Sequence, residues 1–267
     1  EFTKTSISDK RLNELIPDHD ILAAGFPCQP FSLAGVSARN YLGKEHGFGD
    51  DNQGNLFFDI IRIAKVKRPK VLFLENVKNL KSHDKGKTFE TINEMILELG
   101  YSFNFAIINS NTEVPQRRER TYMVCFRNEV DFLFPNFDGE PLPLKSILEE
   151  NVSEEYTISD KLWLGHQNRS KRNKERGTGF TVKLADLNKP SNTIVARYYK
   201  DGKECLIPQD NKNPRKLTPR ECARLQGYPE KFKLSNSKTA AYRQFGNSVS
   251  VPVIEKISKE IVKKLDN

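Results

Sequence analysis

Apolar positions in the first half of the chain follow two alternating rhythms. Residues 20–25 (DILAAG) and 71–74 (VLFL) are short apolar runs, and runs of that length predict buried strands. Residues 56–67 (LFFDIIRIAKVK) predict a helix with apolar side chains on more than one side. Residues 88–99 are amphipathic at helical period, and Gly100 is placed to stop that helix at its C-terminal end. Residues 101–109 alternate like a strand, and 120–126 (RTYMVCF) predict another. Strands alternating with helices imply an α/β sheet, mostly parallel.

The rhythm changes at about Pro135. Residues 135–215 are polar and rich in Lys, Asn and Gly, with short β-like pieces such as 192–199 (NTIVARYY). This predicts a smaller, irregular, β-containing domain. Helical signals then return. TPRE at 218–221 is a capping box with proline at the first helical position, opening a helix through about Gln226. Ile254, Ile257, Ile261 and Leu265 recur at helical spacing over 251–265. The expected organisation is a main domain over 1–134, an inserted domain over 135–215, and a return to the main domain over 216–267. There is no internal repeat and no low-complexity tract.

Composition narrows the partners. The sequence has 267 residues, 37% hydrophobic and 29% charged, which suits a soluble globular protein with a sizeable core. No apolar run is long enough to span a membrane and no secretory-type segment opens the sequence, so a cytoplasmic protein is expected. Cys28, Cys125, Cys205 and Cys222 are far apart with no C-x-x-C pair, which indicates neither a metal site nor a disulfide framework. The net charge of +8 favours a polyanionic partner, nucleic acid first, although a basic protein with no such partner has the same balance.

Ligands of open α/β sheets bind outside the carboxyl ends of the strands. Two predicted strands lead into reactive residues there: one into GFPC at 25–28, the other into ENV at 75–77. A thiol and a carboxylate at the ends of two strands joined by one crossover are expected to face the same crevice. Pro27 and Pro30 restrict the backbone around Cys28 and hold the thiol in place. Taken singly, Cys28 reads as a buried structural thiol and Glu75 as a surface carboxylate; the pair is what raises both. The polar stretch 38–51 is expected to form a loop that closes over a substrate. In β geometry Arg118 and Arg120 share a face, and paired guanidinium groups suit a phosphate or the polar edge of a base. The basic run RSKRNKER at 169–176 fits either a solvated helix or a phosphate contact.

Five segments, in this order, carry a family pattern: GFPCQPFS at 25–32, ENV at 75–77, QRRER at 116–120, LTPRECARLQG at 217–227 and QFGNSV at 244–249. Together they cover most of the chain and resemble the DNA cytosine-5 methyltransferases, in particular those of bacterial restriction–modification systems. The resemblance implies a Rossmann-like methyltransferase sheet with a target-recognition domain at 135–215. It also implies transfer of a methyl group from S-adenosylmethionine to a flipped cytosine in double-stranded DNA. Cys28 is then the nucleophile at C6, Glu75 bonds N3 of the base, Arg118 holds the base carbonyl, and Arg120 orients Glu75. Pro27, Leu56, Asn247, Ser248 and Val249 fall at cofactor positions, and Gln29, Ser32, Thr193 and Arg197 at DNA positions; no metal is implied. GTGF at 177–180 and TIVARYYKDG at 193–202 resemble the Dcm-type branch, which reads CCWGG or CCNGG sites.

The family's opening strand and its Phe-x-Gly-x-Gly cofactor loop are not found in this sequence. The only G-x-G triplets are GFG at 47–49 and GTG at 177–179, neither following a predicted strand. The sheet is therefore expected to lack its first strands, with the missing part supplied by a separate N-terminal fragment or subunit. Two alternatives stand beside the enzyme: a DNA-binding remnant without catalysis, and a tRNA cytosine-5 methyltransferase.

Overall fold

A computed structural model describes residues 7–27, 56–177 and 179–266. The chain divides into two compact units. One comprises Glu1–Ile108, Glu119–Phe134 and Glu260–Asn267, the other Asn109–Arg118 and Pro135–Lys259.

In the first unit Ser8 opens a short helix, α1 (Asp9–Leu15), its Oγ accepting the Arg11 N–H at 3.2 Å. Then come β1 (Ile21–Gly25), α2 (Leu56–Lys67), β2 (Val71–Val77), α3 (Lys87–Glu98), β3 (Asn104–Asn109) and β4 (Glu119–Phe126). The strand order is β1-β2-β4-β3. β1 and β2 are parallel, with Ile21 opposite Val71 and Gly25 opposite Glu75. β4 runs antiparallel to β2, so the expected mostly parallel sheet is mixed. The cause is the short link 110–118 after β3, since a parallel crossover needs a dozen residues or more. β2 also runs longer than its apolar stretch, so Glu75, Asn76 and Val77 are its last paired residues rather than a following loop.

The core of this unit follows the two periods. Phe57, Ile60, Ile61 and Ala64 of α2 are buried at i, i+3, i+4 and i+7. They join a cluster with Leu72 and Leu74 of β2, Met123 and Cys125 of β4, and Ile92, Met95 and Ile96 of α3. Val71 and Phe73, on the other face of β2, are buried as well, which is why the strand reads as a continuous apolar run. Truncating a side chain such as Ile61 to Ala in a core of this kind typically costs about 2–5 kcal/mol. Gly100 ends α3 as the sequence predicts. At φ +78° it donates to Leu97 O at 2.8 Å, while the next N–H, Tyr101, donates to Ile96 O at 3.2 Å.

The second unit contains α4 (Asp160–Glu175), α5 (Tyr198–Asp201), an antiparallel hairpin of β5 (Leu206–Gln209) and β6 (Lys212–Lys216), then α6 (Pro219–Leu225) and α7 (Lys238–Asn247). The final helix, α8 (Val251–Leu265), begins in this unit and continues past its boundary at Lys259. Its buried positions are Val253, Ile257 and Ile261; Ile254 is only half-buried. Residues 216–259 pack with 135–215 rather than returning to the first unit. The reason is a shared core: Cys222, Ala223 and Leu225 of α6 and Ala241, Tyr242 and Phe245 of α7 bury against Ile194, Tyr198, Cys205 and Ile207. The segment 135–215 is too polar to bury its few apolar residues without them.

Two local readings meet different outcomes. The capping box at Thr218 forms in full: its Oγ1 accepts from the Glu221 N–H at 3.1 Å and the Glu221 carboxylate accepts from the Thr218 N–H at 2.8 Å. The strand expected over 192–199 does not form; the segment is a loop that turns into α5. The Ile194 N–H donates not to a neighbouring strand but to Gln116 Oε1, at 3.0 Å. Among the described residues no helix is long and apolar enough to cross a membrane.

Candidate active site

In the first unit, the register of β1, β2 and β4 gathers one cluster. Glu75 lies opposite Gly25 on one side and Tyr122 on the other, and Val77 lies opposite Arg120. Residues 75 and 77 share a face, as do 120 and 122, so Glu75 and Arg120 are diagonal cross-strand neighbours. Arg120 Nε donates to Glu75 Oε1 at 3.0 Å, the two side chains keeping 14% and 19% of their surface exposed. A side chain at position 25 would bring its Cβ to 3.3 Å from Glu75 Oε2, so glycine avoids a tight contact there. Such a carboxylate, partly open and oriented by a guanidinium, can accept or share a proton with a ring nitrogen.

Asn76 points to the opposite face and is buried. Its Nδ2 donates to Phe26 O at 2.8 Å. The Phe26 ring in turn packs on Phe57 with centroids 5.2 Å apart. Asn76 thus fixes the backbone two residues before Cys28. Sequence reasoning gives Asn76 no role; its place between Glu75 and the strand's end is the one signal that points to it. Cys28, Gln29, Ser32 and the loop expected over 38–51 lie outside the described residues. Pro27 and Leu56 are exposed.

In the second unit, Arg118 is engaged by the main chain. Its chain position precedes β4, so β alternation with Arg120 does not apply. The side chain is only 3% exposed. Nη1 donates to Ile194 O at 3.2 Å, and Nη2 to Gly246 O at 3.2 Å and to Ser248 O. A guanidinium spread over main-chain carbonyls orders those carbonyls. Gln116, fully buried, works beside it: Nε2 donates to Leu225 O at 3.2 Å. Thr193 is half-buried and its Oγ1 donates to Arg117 O at 2.5 Å. Arg197 is exposed. Gly246 approaches so closely that a Cβ would lie 2.3 Å from the Ala196 nitrogen, a separation only glycine permits. Asn247 is exposed, Ser248 and Val249 are half-buried, and Ser248 Oγ is 2.8 Å from the Tyr228 hydroxyl.

Cys125, Cys205 and Cys222 are free and buried. Burial pushes all three thiols up, Cys205 to about 12, so none of them supplies a thiolate near neutral pH. Among the described residues no group of His, Cys, Asp and Glu side chains is arranged to hold a metal ion.

Residues 1–263 match the family described as C-5 cytosine-specific DNA methylase. The chain is 52% identical over 258 residues to the Type II methyltransferase M1.ScrFI of Lactococcus lactis subsp. cremoris, covering 94% of this chain and 64% of that protein. It is 48% identical over 264 residues to the Type II methyltransferase M.NlaX of Neisseria lactamica, covering 98% and 80%. Against the DNA-cytosine methyltransferase of Escherichia coli strain K12 it is 42% identical over 306 aligned positions, covering 98% and 65%. The chain therefore spans about two thirds of the length of the first and third of these relatives. Among solved structures, Entamoeba histolytica methyltransferase EhMeth superposes with a TM-score of 0.70 at 20% identity, covering 98% of this chain and 82% of that one. The S. pombe Dnmt2 methyltransferase gives 0.71 at 17%, with the same coverage, and both support the fold.

Proposed function

The chain belongs to the C-5 cytosine-specific DNA methylases, and from that membership we propose that it methylates C5 of one cytosine in a specific duplex site, protecting host DNA from a cognate restriction enzyme. The observation that carries this reading is the Glu75–Arg120 pair at the end of β2, with Asn76 fixing the backbone that leads into Cys28.

A stacked cytosine hides the faces of its ring, so the base is extruded before reaction. The Cys28 thiolate adds to C6. The new C–S bond pushes the C5–C6 π electrons toward C5, which becomes nucleophilic. Charge also builds on the N3 side of the ring, and Glu75, oriented by Arg120, bonds and shares the proton there. Once C5 carries the methyl group, a general base takes the C5 proton; the C–H electrons re-form the C5–C6 double bond and the C6–S bond breaks, releasing the Cys28 thiolate. Arg118 is proposed to hold the base carbonyl, and its guanidinium also orders the carbonyls of Ile194, Gly246 and Ser248.

S-adenosylmethionine supplies an electrophilic methyl group when bound. Pro27 and Leu56, both exposed, would hold it, and Asn247, Ser248 and Val249 are further candidates, with an exposed amide and a half-buried hydroxyl suited to a polar ligand. Gln29, Ser32, Thr193 and Arg197 are proposed DNA contacts, and the proposed target is the inner cytosine of CCWGG or CCNGG.

The test is methyl transfer to duplex DNA by the native protein, read by bisulfite sequencing. Cys28→Ala abolishes transfer and leaves site-specific binding largely intact. Retained turnover in that variant overturns the assignment of Cys28. Methylation confined to an unrelated sequence overturns the target and leaves the reaction class standing.

A further inference from the structure

Apart from Leu162, Trp163 and Leu164 near its start, helix α4 is polar all round. Of its sixteen residues only His166 is buried. A helix without an apolar stripe draws little stability from packing, and its outward face needs another explanation. The inward side is held by polar anchors. His166 Nε2 lies 3.0 Å from Asp201 O; a carbonyl can only accept, so Nε2 carries the proton. Arg169 Nη1 is 3.8 Å from the Asp201 carboxylate, the Val182 N–H donates to Ser170 Oγ at 2.8 Å, and Asn173 Nδ2 donates to Phe180 O at 2.8 Å. The first two of these anchors attach α4 to the end of α5, and Lys216 Nζ holds the same short helix by donating to Tyr199 O at 3.1 Å.

The outward side carries Lys171, Arg172, Lys174 and, just past the helix end, Arg176, all exposed, with one exposed acid, Glu175, among them. None of the four basic side chains forms an ion pair among the described residues. Arg172 and Arg176 are four residues apart and Lys171 and Lys174 three, spacings at which like charges repel along a helix. Glu175 and the negative end of the helix dipole offset part of that repulsion, and an external polyanion would offset far more.

We propose that this outward face binds the phosphates of duplex DNA next to the target, fixing the duplex relative to the segment that carries Thr193 and Arg197. The inference rests on the methyltransferase reading above and adds to it a phosphate-binding surface. Because the interactions are with the sugar–phosphate backbone, they contribute affinity and placement without reading bases.

The experiment measures binding of the 267-residue chain to a fluorescent 24-base-pair duplex by anisotropy, across a range of salt concentrations. One duplex contains CCAGG and a second lacks it. The variant is Lys171→Gln/Arg172→Gln/Lys174→Gln/Arg176→Gln. Each phosphate that the variant no longer neutralises flattens the slope of log affinity against log salt by about 0.9, so a flattening of about 2–4 is expected. At low salt the affinity falls at least tenfold for both duplexes, while the ratio between them stays within about twofold. Unchanged circular dichroism and melting temperature exclude a folding defect. A wild-type slope retained by the variant overturns the proposal and leaves the methyltransferase reading intact. A loss confined to the CCAGG duplex also overturns it, since that would mark base reading. If the wild-type chain binds neither duplex, the DNA reading of this chain fails, and the proposal with it.

Discussion

The two units each present an arginine–glutamate pair, and the pairs do opposite work. In the second unit Glu221 is fully buried and Arg215 nearly so. Both guanidinium Nη atoms donate to the carboxylate at 2.8 Å. The Thr218 N–H donates to Oε2 at 2.8 Å and the Glu149 N–H to Oε1 at 2.9 Å. Both oxygens are taken up by the protein itself. In the first unit Arg120 Nε holds Oε1 of Glu75 at 3.0 Å, both side chains keep some surface exposed, and Oε2 faces a glycine. What separates them is exposure: Glu221 is sealed from solvent, whereas Glu75 keeps 19% of its side-chain surface open.

The largest effect on unfolding free energy is expected from breaking the buried pair. Glu221→Ala strands the Arg215 guanidinium and removes a cap, and losing one partner of such a pair costs roughly 3–5 kcal/mol. Chemical denaturation should show it as a lower midpoint, or as failure to yield soluble protein. Next comes Gly246→Ala. Its new Cβ meets the main chain at Val195 and Ala196, which cannot swing aside as a flexible side chain does. Strain of that kind costs about 1–3 kcal/mol, again read as a denaturation midpoint. An unchanged midpoint would show that the close approach is not maintained in solution.

These two sites also mark where the sequence is legible. Gly100, the capping box at Thr218 and the helix over 56–67 are local signals, and each forms where the sequence places it. The direction of β4, the packing of residues 216–259 and the loop at 192–199 depend on partners distant in sequence. Ile194 shows why: its residue type favours a strand, yet its N–H is taken by the side chain of Gln116. Arg118 escapes sequence reasoning for the same reason, since nothing in QRRER reveals that its charge will be met by carbonyls at 194, 246 and 248. Glu75 and Arg120 are paired in the sequence only through the family resemblance; the contact itself needs the antiparallel register of β2 and β4, which the local pattern does not reveal.

A smaller effect separates the two duties of Glu221. Thr218→Ala keeps the ion pair and removes the hydroxyl that accepts the Glu221 N–H and bonds Glu149. Loss of such a cap costs about 0.5–2 kcal/mol. A loss as large as that of Glu221→Ala would mean that the cap, rather than the ion pair, holds this corner together.

The smallest effect on stability is expected at Glu75→Gln, and that is where the comparison is sharpest. The amide oxygen of glutamine can still accept from Arg120 Nε, so the substitution removes the charge and not the hydrogen bond, a loss of roughly 0–1 kcal/mol. Glutamine keeps the length and one acceptor oxygen, and β2 remains anchored by its ladder to β1 and β4. The denaturation midpoint should therefore barely move. Methyl transfer should fall by about 10²–10⁴, because an amide cannot share or deliver the proton that charge build-up on the base requires. The opposite pattern, a marked loss of stability with turnover preserved, would place Glu75 in the same class as Glu221. Catalytic duty would then have to be sought in another carboxylate.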